Sequence, residues 1–194
     1  MAKRKIGLFF GSFNPVHLGH LIIANYMANY TSIDEVWFVV SPQNPFKDKK
    51  SLGNMYDRLE MVNLAIEGAL HLNTCDIEFK LPQPSYTIDT LTYLQEKYPT
   101  KEFVLIMGED NLQGLLKWKN AELILRDYHI MVYPRPGYES LDLRNHPSVT
   151  LTDTPIMELS STFIRQSIKD NKSIKYFVPD PVIDFIDKKG LYSS

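Results

Sequence analysis

Two histidines three residues apart, His17 and His20, stand in the stretch GSFNPVHLGH, residues 11–20. The stretch follows the apolar run Ile6 to Phe10 and leads into an amphipathic segment, Leu21 to Tyr30. That pattern predicts a strand, a tight loop and a helix start. At this spacing both imidazoles fall on one face of the first helical turn. Gly11 and Gly19 suit points where the backbone turns sharply or a ligand comes close, and Pro15 forbids a regular strand or helix through the loop. Backbone amides at a helix N-terminus, joined by two imidazoles, make a site for a phosphate chain. The bland alternative is a pair of ordinary polar residues at a helix start. Zinc is a third reading, but no HExxH pattern or Cys/His cluster accompanies the pair. The segment reads as a nucleotide-handling loop.

A second candidate anion site lies near the other end of the chain. SSTFIR, Ser160 to Arg165, puts three hydroxyls at a helix start and an arginine one turn later. It can act as an anion clamp or as plain helix capping. Lys47 stands in SPQNPFK on a proline-stiffened loop, from which it can close over a triphosphate as a point charge. The plain reading is a solvated loop, with Lys49 and Lys50 as further decoration.

The elements that must carry these residues alternate. Apolar runs at Lys5 to Phe10, Val36 to Ser41, Leu70 to Asp76, Phe103 to Met107, His129 to Tyr133 and Val149 to Leu151 predict strands. Helical patterns lie between them at Gly19 to Tyr30, Met55 to Gly68, Thr87 to Tyr98 and Ala121 to Asp127. This alternation predicts an α/β fold, a Rossmann-like doubly wound parallel sheet. Such sheets bind ligands beyond the carboxyl ends of their strands, and GSFNPVH, SPQNPFK, GED and YPRPG each follow a run directly. The C-terminal part, about residues 160–194, turns helical in SSTFIRQSIKDN and PDPVIDFIDKKG. The loop Pro42 to Asn54 is the candidate for a mobile lid.

GSFNPVHLGH resembles the (H/T)xGH signature of the nucleotidylyltransferase superfamily, and within it the bacterial-type nicotinate-nucleotide adenylyltransferases. Family members often carry a second glycine where this chain has Phe10. SSTFIR resembles their second signature, ISSTxIR, with Leu159 in place of isoleucine, and Lys47 matches PxxPxK. Arg58, in YDRLEM, is a functional candidate on this resemblance alone. Ser85, Tyr86 and Thr87 match an SYT motif whose hydroxyls and amides suit a nicotinate carboxylate, capping being the other reading. Gly108 and Asp110 match GxD, which suits nucleotide contacts or Mg²⁺ held through water. Trp118 resembles the tryptophan beside the pyridine ring, where stacking on a pyridinium is favourable. Arg135, in YPRPG, matches RPG and is expected on the phosphate or adenine side.

The resemblance thus implies transfer of AMP from ATP to nicotinate mononucleotide. His17, His20, Lys47 and Arg165 would be catalytic. ATP would also meet Gly11, Ser12, Phe13, Gly108, Asp110, Arg135, Ser161 and Thr162. The mononucleotide would meet Ser12, Asn14, Lys47, Ser85, Tyr86, Thr87 and Trp118. Mg²⁺ would arrive on the ATP phosphates, with no protein-held metal site. A phosphopantetheine adenylyltransferase or a cytidylyltransferase is an alternative within the superfamily, though these lack the SYT, tryptophan and RPG combination. A non-catalytic nucleotide sensor is the alternative from another class. A class I tRNA synthetase is excluded by the lack of a KMSKS stretch.

Bulk properties agree with this. A chain of 194 residues is most simply one domain, and 44% hydrophobic with 23% charged residues is ordinary for a globular protein. A net charge of -2 argues against a nucleic-acid partner, which calls for a basic excess. The lone Cys75 excludes an internal disulfide and fits a reducing compartment. Lys3, Arg4 and Lys5 before IGLFF imitate an export signal, but the apolar run is too short. No run approaches membrane-spanning length. The expectation is a cytoplasmic protein, with assembly into a homo-oligomer left open.

Overall fold

The computed structural model describes residues 3–43, 52–138 and 142–193. Six parallel strands form one sheet: β1 Arg4–Gly11, β2 Glu35–Val40, β3 Leu72–Cys75, β4 Lys101–Gly108, β5 His129–Tyr133 and β6 Val149–Leu151. Their spatial order is β3-β2-β1-β4-β5-β6, so the chain winds outward from β1 in both directions. The order reverses between β1 and β4, the point at which doubly wound sheets leave a ligand crevice.

Continuous apolar runs make this possible. In β4, Phe103, Leu105 and Met107 enter one core while Val104 and Ile106 enter the other, as period-2 alternation demands. Helices α1 Leu18–Tyr30, α2 Met55–Ala65, α6 Ser161–Lys169 and α7 Asp180–Lys189 cover the first face. Helices α3 Thr87–Lys97, α4 Glu109–Gly114 and α5 Ala121–Asp127 cover the second. Among the described residues no helix is long and apolar enough to cross a membrane.

Boundaries differ from expectation where local chemistry is strong. β3 is shorter than its apolar run because Leu70 lies 88% exposed in the turn before it. α2 ends at Ala65, three residues short, ahead of Gly68 with φ +78°. The short α4 and the 3₁₀ turns Ile77–Lys80 and Leu115–Lys117 carry too few residues for a periodic signal. Gly190, in the left-handed region at φ +62°, ends α7 as expected. Most of the candidate lid, Lys47 included, lies outside the described residues.

Candidate active site

The carboxyl ends of β1, β2, β4 and β5 open into one cleft of about 450 Å³. Its first wall is the β1–α1 loop. Phe13 takes φ +44° there, an uncommon value for a side-chain-bearing residue and a mark of imposed geometry. The turn drives its ring into the core at 1% exposure, edge-on to Phe9, Phe38 and His20. A Cβ on Gly11 would lie 2.7 Å from that ring, so Gly11 is required by Phe13 packing. Phe13 therefore serves the site through its backbone and its support of His20.

His17 precedes the first turn of α1 and His20 lies within it. Their rings stack at 3.7 Å between centroids, and His20 Nδ1 accepts the His17 amide at 3.2 Å. A Cβ on Gly19 would come within 3.1 Å of the His17 ring, which explains the glycine between them. Burial, followed by the Arg135 guanidinium, holds the His17 imidazole down at about 4. At neutral pH His17 is thus an uncharged N–H donor, and positive charge on the cleft lining is carried by Lys117, Lys119, Arg135 and Arg165.

The opposite wall is the N-terminus of α6. Ser160 caps it by accepting the Phe163 amide at 3.2 Å. Ser161 Oγ donates to the Pro15 carbonyl at 2.9 Å, and Arg165 Nη1 to the Asn14 carbonyl at 2.8 Å. Arg165 Nη2 also donates to Thr162 Oγ1 at 3.2 Å. The two signature segments, some 150 residues apart, are therefore bonded to each other. Ser160 does the capping, while Ser161, Thr162 and Arg165 line the cleft.

The ends of β4 and β5 supply Asp110 and Arg135. Glu109 accepts the Arg135 amide at 3.3 Å, and Arg135 Nε stands 3.7 Å from Asp110 Oδ1, an ion pair longer than a hydrogen bond. Gly108, an expected ATP contact, ends β4 but is not among the residues that line the cleft. On the far side, Tyr86 precedes α3 with the Lys119 ammonium 4.7 Å above its ring. Lys119 is pinned by Asp89 at 2.8 Å. Trp118 beside it is half-buried and lines the cleft with Ser85 and Thr87.

Gly11, Ser12, Phe13, Asn14, His17, His20, Ser85, Tyr86, Thr87, Asp110, Trp118, Arg135, Ser161, Thr162 and Arg165 all line this one cleft. Among the described residues, the buried side-chain atoms without a hydrogen-bond partner are His17 Nδ1, Ser85 Oγ, Asp110 Oδ1 and Arg135 Nε. All four residues line the cleft. Since buried polar groups are normally paired, their concentration here marks a place built for a polar ligand.

Two residues prove more central than sequence suggested. Arg58 is 1% exposed and donates to the carbonyls of Ser12, Ser41, Pro42 and Gly53 at 2.6 to 3.0 Å. It clamps the loops after β1 and β2, and its place on the face of Met61 and Val62 was the available signal. Glu78, 2% exposed, accepts Thr90 Oγ1 at 2.9 Å, and burial pushes its carboxyl up. No motif pointed to it.

A family model for cytidylyltransferase-like proteins matches residues 8–167. A relative from Cytophaga hutchinsonii is 54% identical over 190 residues, 98% of this chain and 99% of its own. One from Flavobacterium johnsoniae is 53% identical over 190 residues, 97% and 98% of the two chains. Both are named probable nicotinate-nucleotide adenylyltransferase. The solved Plasmodium falciparum nicotinic acid mononucleotide adenylyltransferase complexed with NaAD has a TM-score of 0.81 at 21% identity, covering 97% of each chain, a likeness of fold. On the family match and the near-full-length identity, the chain belongs to the cytidylyltransferase-like family and, within it, to the nicotinate-nucleotide adenylyltransferases.

Proposed function

We propose that the cleft joins ATP to nicotinate mononucleotide, releasing pyrophosphate and forming nicotinate adenine dinucleotide, a step of NAD biosynthesis. The observation that carries this at the level of the site is the gathering of unpartnered buried polar atoms between two interlocked anion-binding segments. A phosphate oxygen of the mononucleotide attacks the α-phosphorus of ATP. The new P–O bond forms as the bond to the β-phosphate bridge oxygen breaks, and its electron pair leaves with pyrophosphate. The nucleophile is ionised at neutral pH, so no general base is required. Catalysis consists of alignment and charge stabilisation.

His17 and His20 serve as donors to the phosphates, with Thr162 and Arg165 on the β/γ side and Lys47 closing from its loop. Tyr86, Thr87 and Trp118 receive the pyridine end, with Ser12 and Asn14 between the two substrates. Mg²⁺ fits as a companion of the triphosphate, Asp110 Oδ1, which makes no hydrogen bond and stands 3.7 Å from Arg135 Nε, being suited to hold its water shell; when bound it would supply charge neutralisation of the leaving group. A net charge of -2 and a single cysteine support small nucleotide substrates in a cytoplasmic setting.

The test is pyrophosphate release from ATP with nicotinate mononucleotide, its amide and phosphopantetheine as separate acceptors. The reading expects the acid mononucleotide to give the fastest turnover, with the dinucleotide recovered. Preference for another acceptor, or ATP binding without turnover, would contradict it.

A further inference from the structure

Tyr192 closes a contact that spans almost the whole chain. Its hydroxyl donates to Asn14 Oδ1 at 2.8 Å, and the same oxygen accepts the Gly53 amide at 3.2 Å. Asn14 is 2% exposed, and its backbone carbonyl is the group that holds Arg165. One residue of the β1–α1 loop is therefore gripped through its side chain by the C-terminal segment, while its main chain grips the arginine of the second anion site.

That segment is itself anchored. α7 packs on α2, and Lys189 Nζ stands 3.3 Å from Asp57 Oδ1. The Leu191 amide bonds the Ile186 carbonyl at 3.0 Å, and Leu191 and Tyr192 pack on the core of that face. Burial pushes the phenol up, which leaves it protonated, a permanent donor, across the physiological range. Packing alone would be served as well by a phenylalanine, so the hydroxyl needs another account. Among the described residues, that hydroxyl bonds into the β1–α1 loop, at Asn14 Oδ1.

We propose that Tyr192 is a positioning residue for the transfer reaction. Through Asn14 it sets the β1–α1 loop, and with it His17 and Arg165, in the arrangement that receives the phosphates. This rests on the function proposed above. Nothing in the signature motifs extends to the C-terminal segment, which lies beyond the matched residues 8–167.

The experiment compares the full chain with Tyr192→Phe, with a chain lacking residues 192–194 and with one lacking only 193–194. For Tyr192→Phe the expectation is a kcat lower by about fivefold to tenfold, the size that loss of one buried hydrogen bond supports. KM for both substrates should stay within about twofold, and the thermal midpoint within about 4 °C. Amide hydrogen exchange over residues 12–20 should rise while β4 stays protected. The 192–194 deletion should repeat the kcat loss and the 193–194 deletion should not. Unchanged kcat and loop exchange in Tyr192→Phe would overturn the proposal. So would a kcat loss confined to the 192–194 deletion, which would assign the effect to ring packing. Wild-type turnover tests the substrate reading, whereas the ratio of variant to wild-type kcat and the exchange data, the latter needing no substrate, test Tyr192.

Discussion

His17 combines burial, stacking against His20 and an unpartnered Nδ1 in one side chain. Its imidazole is held at about 4 in the folded protein, against about 6.5 when exposed. Because the unfolded chain takes up the proton first, this residue contributes stability above pH 6.5 that is lost as pH falls toward 4. A His17→Asn variant lacks that titration. Thermal melts of the two proteins between pH 7 and 4.5 should therefore show the smaller decline in the variant, and parallel declines would refute the assignment. In the proposed mechanism His20 is a donor to the phosphates. His20→Ala should lower kcat by on the order of 10²-fold, the usual cost of one transition-state donor, with the melting midpoint little changed. Near-wild-type turnover would remove His20 from the mechanism. The pair was legible in the sequence because two imidazoles one turn apart beside glycine and proline have few other uses. The neutrality of His17 was not, since it arises from burial and from Arg135, 118 positions away in the chain.

At the scale of elements, the sheet was readable because β1, β4 and β5 carry the unbroken apolar runs Ile6 to Phe10, Phe103 to Met107 and Ile130 to Tyr133, the mark of strands covered on both faces. Chain ends of elements were harder. Leu70 is apolar yet exposed, and α4 has only six residues, too few to show a periodic pattern. Arg58 shows why helix-borne charges resist reading. An arginine on α2 is by default a surface residue, but this one faces inward and serves four carbonyls from the two loops after β1 and β2. Arg58→Met would keep much of the volume and leave those carbonyls unpaired. The expected loss is about 3 kcal/mol or more, a fall in the melting midpoint of about 10 °C for a chain of this length. Calorimetry giving a change below about 2 °C would show that water replaces the guanidinium without penalty.

Across the whole molecule, the decisive fact is that strand order reverses between β1 and β4. The reversal parts the loops after these strands and opens the crevice that the N-terminus of α6 then covers. The return of the chain to its own beginning is sealed by Ser161 on Pro15, Arg165 on Asn14 and Tyr192 on Asn14. The motif resemblance implied that both segments meet one triphosphate, but not that they bond to each other, because nothing local encodes a contact between residues 150 apart. The third carried no motif at all.

The most direct measurement is a crystal structure of the protein with a non-hydrolysable ATP analogue. One triphosphate should be found with oxygens within hydrogen-bonding distance of the His17 or His20 imidazole on one side and of Thr162 or Arg165 on the other. A nucleotide whose phosphates touch only one of these walls, or lie outside the cleft, would contradict the account.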